Sequence, residues 1–334
     1  MITYGIVGAG WRAWFYIRLA SLLPDRFALA GVVVRNPETR RKMAGVPFPV
    51  FETADELLAR KPDFVVCAVN KASMASVSLA LAEKGAAVLA ETPLGADEDD
   101  QERFFARFRP DYRIQVAEQY HFQPYFAAVR ALLDEGCLGD VRQVYLSACH
   151  DYHAVSLARF FLGTGGEFPE VDVFHLPDPV FQYAGRGGML PEPVLNDGKS
   201  KLALLRFRDK SFLYDFCQTQ YFSRIRGNLL RIRGSLGELT GDRAVILKNG
   251  VPVTRELTRN AYGANGDLEG LYLSEIVSGG RVLYKNPFPE VRLTDEEIAI
   301  ATCLLKMGAY AGGGEPFYSA EEAALDAKIA MRMA

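Results

Sequence analysis

Residues 5–13 read "GIVGAGWRA" and continue an apolar, β-branched start to the chain at Ile2–Val7. Gly8, Gly10 and Ala13 therefore stand where a predicted strand turns into a predicted helix. Glycine at such a turn permits a tight bend, and it lets backbone amides approach a pyrophosphate at the positive end of the helix. The glycine spacing alone is weak evidence for a dinucleotide site, but a predicted strand before it and a predicted helix after it make the motif specific. We expect dinucleotide binding here, with a ligand-free glycine turn as the alternative.

The first 120 residues alternate short β-branched runs with longer helical patterns. The runs "FVVCAV" and "AAVLA" are apolar throughout, as expected where both faces of a parallel sheet are covered. This alternation is typical of a doubly wound α/β sheet. The predicted strands are 2–7, 29–34, 64–68, 87–90 and 113–117, and the predicted helices lie near 14–22, 54–59, 77–83 and 102–108.

After Gly139 strand follows strand, which predicts an open, mostly antiparallel sheet with one helix entering at Ala154. Residues 177–200 are rich in proline and glycine and predict a long loop, either a lid or binding loop or a disordered surface segment. We therefore expect a dinucleotide-binding domain at 1–122. A substrate and oligomerisation domain follows at 123–334, and it ends in two helices that capping boxes open at Thr294/Glu297 and Ser319/Glu322.

Composition excludes several classes of function. The net charge of −3 gives no electrostatic case for nucleic acid or for an anionic membrane. Five scattered cysteines without a CxxC pair indicate free thiols in a reducing compartment. No apolar run reaches the roughly 18 residues that span a bilayer, and no signal peptide is recognised ahead of the first strand. The expected location is the cytoplasm.

The end of the second strand bears on the choice of cofactor. This position normally carries an Asp or Glu that binds the ribose 2′-hydroxyl. The sequence here is "GVVVRNPETRR", with Val34 at the acidic position and Arg35 next to it. Arg35, with Arg40, can pair with a 2′-phosphate, which favours NADP over NAD. In the alternative, Arg35 stacks on the adenine and NAD binds through other contacts.

Three further motifs carry a resemblance: "AETPLG" at 90–95, "YHFQP" at 120–124 and "RGSLGEL" at 233–239. With the glycine turn, their order resembles the glucose-fructose oxidoreductase / inositol dehydrogenase (Gfo/Idh/MocA) family over nearly the whole chain. The resemblance implies a Rossmann domain, a second antiparallel domain, and a sugar or polyol bound between them. It also implies a homo-oligomer, a dimer or tetramer, formed through the C-terminal sheet. Expected cofactor contacts besides the glycine turn are Trp11, Arg12, Asn70, Glu91, Thr92, Pro93 and Gln119.

The catalytic position departs from the family pattern. The family typically reads Glu-Lys-Pro after strand five, and its lysine acts on the reacting hydroxyl. This chain reads Glu91-Thr92-Pro93. A threonine hydroxyl has no useful pKa near neutrality and cannot replace the lysine as a proton acceptor. Thr92 is therefore expected to contact substrate rather than to move a proton.

The stretch "ACHDYHAVSLARFFLG", residues 148–163, resembles the family helix that reads Asp-x-x-x-His/Tyr and then Asp. On this alignment His153 takes the His/Tyr position, while Cys149 and Ser156 take the places of the two carboxylates. We interpret His153 as the acid–base group, with a structural histidine as the alternative. A metal site with His150 is disfavoured because no second ligand group stands at metal-site spacing. Asp151 is expected to cap the helix.

Several other side chains are candidates to assist. Tyr152, Tyr120 and Lys71 are candidates for proton transfer, and the expected substrate contacts are Thr92, Tyr120, His121, His150 and Arg186. The preferred function is an NAD(P)-dependent oxidoreductase that acts on a sugar, polyol or related polyhydroxy compound. One alternative is a redox-cycling sugar eliminase or glycosidase that retains its cofactor. The other is a non-catalytic regulator that binds cofactor and sugar.

Overall fold

The computed structural model describes residues 1–334, which divide into two compact units. The first unit holds Met1–Pro124, Tyr262–Leu273 and Asn286–Lys328, and the second holds Tyr125–Ala261, Ser274–Lys285 and Ile329–Ala334.

The first unit contains a six-stranded parallel sheet of order β3-β2-β1-β4-β5-β6. Its strands are β1 (Ile2–Val7), β2 (Phe27–Val33), β3 (Val50–Phe51), β4 (Phe64–Cys67), β5 (Val88–Ala90) and β6 (Ile114–Val116). The helices between them are α1 (Trp11–Leu22), α2 (Pro37–Lys42), α3 (Ala54–Leu58), α4 (Lys71–Glu83) and α5 (Glu98–Phe105), and a 3-10 turn follows β6 at Gln119–Phe122. The predicted doubly wound sheet is confirmed.

Capping side chains explain where several of these helices begin. The Asn70 side chain accepts from the amide of Ser73, so α4 begins at Lys71 rather than near residue 77. The predicted capping box of Thr53 and Glu56 opens α3. The predicted start of α3 at Ala54 is confirmed, whereas α4 was predicted too late because Lys71 and Ser73 in its first turn conceal the apolar periodicity.

The C-terminal helices α8 (Asp295–Ala311) and α9 (Ala320–Arg332) lie in the first unit, apart from the last residues of α9. They follow the strands of the second domain in the chain, which predicts that they belong to it, but they are part of the first unit. Both predicted capping boxes are present, at Thr294/Glu297 and Ser319/Glu322. The segment between these helices bonds to β6, where the amide of Val116 donates to the carbonyl of Tyr318 at 3.0 Å. This contact covers the outer edge of the parallel sheet.

The second unit is built on an eight-stranded sheet of order β16-β15-β14-β13-β7-β12-β11-β8. All its pairs are antiparallel except β7 with β12, so the predicted mostly antiparallel sheet is confirmed. Its strands are β7 (Val141–Ser147), β8 (Glu170–Pro177), β11 (Lys199–Arg206), β12 (Ser211–Cys217), β13 (Leu229–Gly234), β14 (Gly237–Thr240), β15 (Arg243–Lys248) and β16 (Val251–Glu256). The remaining elements are α6 (Pro124–Asp134), α7 (Asp151–Leu162), a 3-10 turn at Gln218–Phe222, and the small sheet of β17 (Thr258–Tyr262), β18 (Tyr272–Ser278) and β19 (Arg281–Lys285).

The stretch predicted as a long loop at 177–200 is instead mostly strand. β9 (Val180–Gly185) and β10 (Gly188–Asn196) form an antiparallel hairpin whose connecting turn is Arg186–Gly187. The loop prediction was wrong because Pro191 and Pro193 read as strand breakers. Both prolines lie within the irregular part of the pairing, between Met189 and Val194, where no ladder amide is required.

Two chain-wide observations complete the fold. None of the helices has the length and apolar character that crossing a bilayer requires. All five cysteines are free thiols, as the sequence predicts. Burial raises the pKa of Cys67, at the end of β4, to about 11, so this thiol stays protonated near neutral pH.

Candidate cofactor and active site

The glycine turn lies where the strand order reverses, because β2 and β4 flank β1 on opposite sides. Open α/β sheets bind ligands at the carboxyl ends of the strands that flank such a reversal. Gly8 has φ +117°, and a Cβ built on it would lie 2.2 Å from the carbonyl oxygen of Ala68. Gly10 is the N-cap residue of α1, and a Cβ there meets nothing within 4 Å. Gly8 is thus required by the protein's own packing, whereas Gly10 leaves open space at the amino end of the helix.

We expect Gly8→Ala to lower the free energy of unfolding by about 2–4 kcal/mol, since it combines an unfavourable φ with a backbone clash. Urea titration measures the loss. The matched control is Gly10→Ala, which has negative φ and open space and should change stability by less than about 1 kcal/mol. Equal stability of the two variants would show that the contact between Gly8 and Ala68 does not constrain the turn.

Arg12 is held by the protein's own carboxylates. Its Nη1 donates to Glu296 Oε1 at 2.8 Å, and its Nε lies 3.7 Å from Glu91 Oε1. Burial alone would lower the pKa of Arg12, but Glu91 and Glu296 outweigh that effect and raise it. The guanidinium also lies over the ring of Trp11, 4.9 Å from its centroid. A contact between Arg12 and a phosphate remains a prediction.

The Glu91-Thr92-Pro93 motif follows β5 and is anchored through Glu91. The Tyr16 hydroxyl donates to Glu91 Oε1 at 2.6 Å, and the amide of Thr92 donates to Oε2 at 3.2 Å. Burial, and then the Glu91 carboxylate, raise the pKa of Tyr16 well above its usual value, so the hydroxyl remains a donor. The Thr92–Pro93 peptide bond is cis. Glu91 is thus a structural anchor that fixes the backbone on which Thr92 stands.

Arg35 and Arg40, the two arginines that follow β2, differ in their contacts with the protein. Arg40 Nη1 donates to the carbonyl of Val34 at 3.1 Å, and its Nη2 pairs with Glu52 at 3.1 Å. Arg35 is exposed and makes no ion pair. Arg40 is therefore occupied by local contacts, and Arg35 is the cation available to a ligand at this strand end.

The remaining candidates of the first unit lie at the ends of β4 and β6. Asn70 caps α4, and Lys71 is its exposed first residue. Gln119 is only 2 % exposed, and its Oε1 has no hydrogen-bond partner. A buried amide oxygen without a partner is uncommon, since such groups are normally paired, and it indicates a place for an external donor. Tyr120 and His121 are half-buried, and the His121 ring meets that of Tyr318 edge to face.

In the second unit, α7 brings three of the predicted side chains together. The ring of His153 lies 4.7 Å from that of His150 and 5.3 Å from that of Tyr152, centroid to centroid. His153 is 4 % exposed, whereas His150 is exposed. The amide of His150 donates to the Tyr221 hydroxyl at 2.9 Å, and its Nδ1 lies 3.0 Å from the same oxygen. Tyr221 therefore fixes the orientation of His150.

Three predictions on and near this helix need correction. The helix begins at Asp151 rather than Ala154, and its N-cap is His150. Asp151 is not the cap, because its carboxylate accepts from Lys201 and from Tyr214 on the sheet beneath. Arg186 stands in the turn of the β9–β10 hairpin rather than in a long glycine-rich loop. No group of three or more His, Cys, Asp and Glu side chains is arranged to hold a metal ion.

Sequence reasoning missed Tyr16, Glu296 and Tyr221. Tyr16 and Glu296 are joined to the motif residues Arg12 and Glu91, and Glu296 lies 284 positions from Arg12. Tyr16 occurs one helical turn after Arg12, which was a usable signal. No local pattern points to Glu296 or Tyr221, because each meets its partner only after distant elements have packed.

Comparison with known proteins gives one family match. The model of an oxidoreductase family with an NAD-binding Rossmann fold, GFO_IDH_MocA, matches residues 2–135. A search of curated proteins finds no match.

Solved structures share the fold over the whole chain. An oxidoreductase from Agrobacterium radiobacter in complex with NAD+, L-tartaric acid and magnesium is 16% identical at a TM-score of 0.66, covering 99% of this chain and 94% of that one. Levoglucosan dehydrogenase in complex with NADH is 15% identical at a TM-score of 0.66, and the match covers 100% of this chain and 98% of that one. A putative myo-inositol dehydrogenase from Sinorhizobium meliloti is 19% identical at a TM-score of 0.63, and the match covers 99% of this chain and 95% of that one. Identities this low establish the fold alone.

Proposed function

Because the model of the GFO_IDH_MocA oxidoreductase family, with its NAD-binding Rossmann fold, matches residues 2–135, we propose that this chain is a member of that family. We propose further that it is an NAD(P)-dependent oxidoreductase of a sugar, polyol or related polyhydroxy compound. The observation that carries the proposal is the glycine turn at the strand reversal, with open space beside Gly10. The related structures of levoglucosan dehydrogenase and of a putative myo-inositol dehydrogenase support a polyhydroxyl substrate.

The first unit fits a dinucleotide. The backbone amides that follow Gly8 and Gly10 would bind the pyrophosphate. Arg35 would bind the ribose of the adenosine. The Gln119 side-chain oxygen, which has no partner in the protein, would accept a hydrogen bond from a carboxamide or hydroxyl group of the cofactor. Asn70, Lys71 and the backbone around Thr92 and Pro93 stand at the carboxyl ends of neighbouring strands. When bound, the nicotinamide supplies the hydride donor or acceptor that no side chain can provide.

A proton must also move at the substrate oxygen, and Thr92 is unsuited to that task. We propose His153 as the acid–base group. The imidazole is the side chain whose ordinary pKa lies closest to neutrality, and here it packs between His150 and Tyr152. Tyr152, Tyr120 and Lys71 are the proposed assisting groups. Thr92, Tyr120, His121, His150 and Arg186 are the proposed substrate contacts.

NADP(H) should bind more tightly than NAD(H), and Arg35→Ala should remove most of that difference. A charge-assisted contact to the 2′-phosphate contributes roughly 1.5–3 kcal/mol, so the preference should be about tenfold or more. Calorimetry with both cofactors measures it. Arg41→Ala is the matched control, because Arg41 is exposed on the neighbouring helix α2 and makes no ion pair. Equal affinities for the two cofactors in the parent protein would contradict the proposal.

The replacement of the family lysine by Thr92 also favours two other functions. A redox-cycling eliminase or glycosidase would retain oxidised cofactor through purification, whereas a dehydrogenase would exchange it. A regulator would bind cofactor and sugar without turnover. Cofactor content after purification, followed by thermal-shift screening of sugars with each cofactor, separates the three.

We also propose that the chain forms a homo-oligomer through the sheet of the second unit. Phe174 and Leu176, on β8, are 63 % and 48 % exposed, and they alternate with residues of the opposite face. Large apolar side chains in water at a sheet surface are typical of association sites. Light scattering on the eluting peak tests this proposal, and Phe174→Lys should shift the protein towards the monomer.

A further inference from the structure

A pocket of about 300 Å³ lies wholly within the second unit, beside the first residue of α7 and the ends of β11 and β12. This volume is at the lower end of the range of small-molecule sites. Polar and charged groups dominate its lining. None of these residues was singled out for function by the sequence, apart from Asp151 as a helix cap.

The charges of the pocket do not balance. Lys201 Nζ donates to Asp151 Oδ2 at 2.5 Å, and the Tyr214 hydroxyl donates to Oδ1 at 2.9 Å. Burial, and then Asp151, raise the pKa of Tyr214 far above its usual value, so this hydroxyl remains a donor. Lys199 also lines the pocket and makes no ion pair. Among the lysine and carboxylate side chains of the lining, two ammonium groups therefore face one carboxylate, and one positive charge is in excess.

The Thr219 side chain lines the same pocket. Thr219 is 8 % exposed. Gly198 brings the neighbouring turn close to it, since a Cβ at Gly198 would lie 3.2 Å from the Thr219 oxygen. A hydroxyl that lines a pocket can donate a hydrogen bond to a ligand and accept one from it.

The pocket is separate from the side of α7 that carries His153. Asp151 and His153 are two residues apart, and their side chains leave a helix roughly 200° apart. No residue assigned to the cofactor lines the pocket.

We propose that this pocket binds a small polyhydroxy carboxylate, such as a sugar acid. Its single excess positive charge matches one carboxylate, whereas a phosphate monoester carries nearly two negative charges. Asp151 accepts from ligand hydroxyls, and Thr219 and Gln218 bond to them. The proposal does not depend on the oxidoreductase activity, because neither the cofactor nor His153 takes part.

Gluconate, glucose and glucose 6-phosphate titrated by calorimetry into cofactor-free protein test the proposal. Gluconate should bind more tightly than either of the other two. Lys199→Gln, which removes the excess positive charge, should weaken gluconate binding about tenfold or more. Thr219→Val should weaken it about threefold to tenfold, because it removes a hydroxyl that lines the pocket, while the melting temperature should change little.

Lys248→Gln is the control, since Lys248 is exposed at the end of β15 and does not line the pocket. It should bind gluconate like the parent protein. The proposal is overturned if gluconate does not bind, if glucose or glucose 6-phosphate binds as tightly, or if Lys199→Gln and Thr219→Val retain the affinity of the parent. Because no cofactor is present, none of these results bears on the oxidoreductase proposal.

Discussion

Gly10→Glu should reduce the affinity for NAD and NADP by about 100-fold or more while the protein remains folded. A side chain at this position enters the open space at the amino end of α1, where the backbone amides would face the pyrophosphate. A carboxylate there both fills that space and opposes the phosphate charges, and like-charge juxtaposition costs several kcal/mol. Calorimetry measures the affinity.

Urea titration supplies the stability control for this variant. The free energy of unfolding should change by no more than about 1 kcal/mol, because the new side chain meets no protein atom at its Cβ. Gly10→Ala separates size from charge and should weaken cofactor binding less than Gly10→Glu. Unchanged affinity in a folded Gly10→Glu protein would remove the cofactor from this turn.

His153→Asn should lower turnover by about 10²–10⁴, which is the usual cost of removing a general acid–base group. Asparagine keeps a polar side chain of similar reach at a site that is 4 % exposed, so the loss should fall on kcat rather than on folding. The ring contacts of His153 with His150 and Tyr152 hold the imidazole in one place. Steady-state kinetics on a substrate found by the thermal-shift screen measure the effect.

Thr92→Ala is the paired variant, and it should lose far less activity because a threonine hydroxyl has no useful pKa near neutrality for moving a proton. Cofactor and substrate affinities of both variants are measured separately. Normal turnover by His153→Asn would contradict the assignment and transfer the acid–base role to Tyr152, Tyr120 or Lys71. A larger loss in Thr92→Ala than in His153→Asn would also contradict it.

The first unit could be predicted largely from local signals. Each parallel strand is a short apolar run covered on both faces, and the turn at Gly8 needs a residue that tolerates φ +117°. Capping boxes such as Thr294/Glu297 are contained within four residues and are visible without any knowledge of packing.

The parts that could not be predicted depend on long-range packing or on atypical strand chemistry. The β9–β10 hairpin was hidden by Pro191 and Pro193, which occupy the irregular part of its pairing. Asp151 has the sequence context of a helix cap, but its carboxylate is taken by Lys201, 50 residues further along the chain. Tyr221 orients His150 from a distance of 71 residues. No window of local sequence contains both members of such pairs.

Hydride transfer itself is the most direct test of the central claim. Protein mixed with NAD or NADP and a panel of sugars, polyols and sugar acids is followed at the absorbance band of reduced nicotinamide, in both directions of reaction. We expect at least one polyhydroxy compound to produce a signal that is abolished in Gly10→Glu and strongly reduced in His153→Asn. Cofactor binding by the parent protein with no change in nicotinamide redox state for any compound, in either direction, would contradict the oxidoreductase and favour a cofactor-binding regulator.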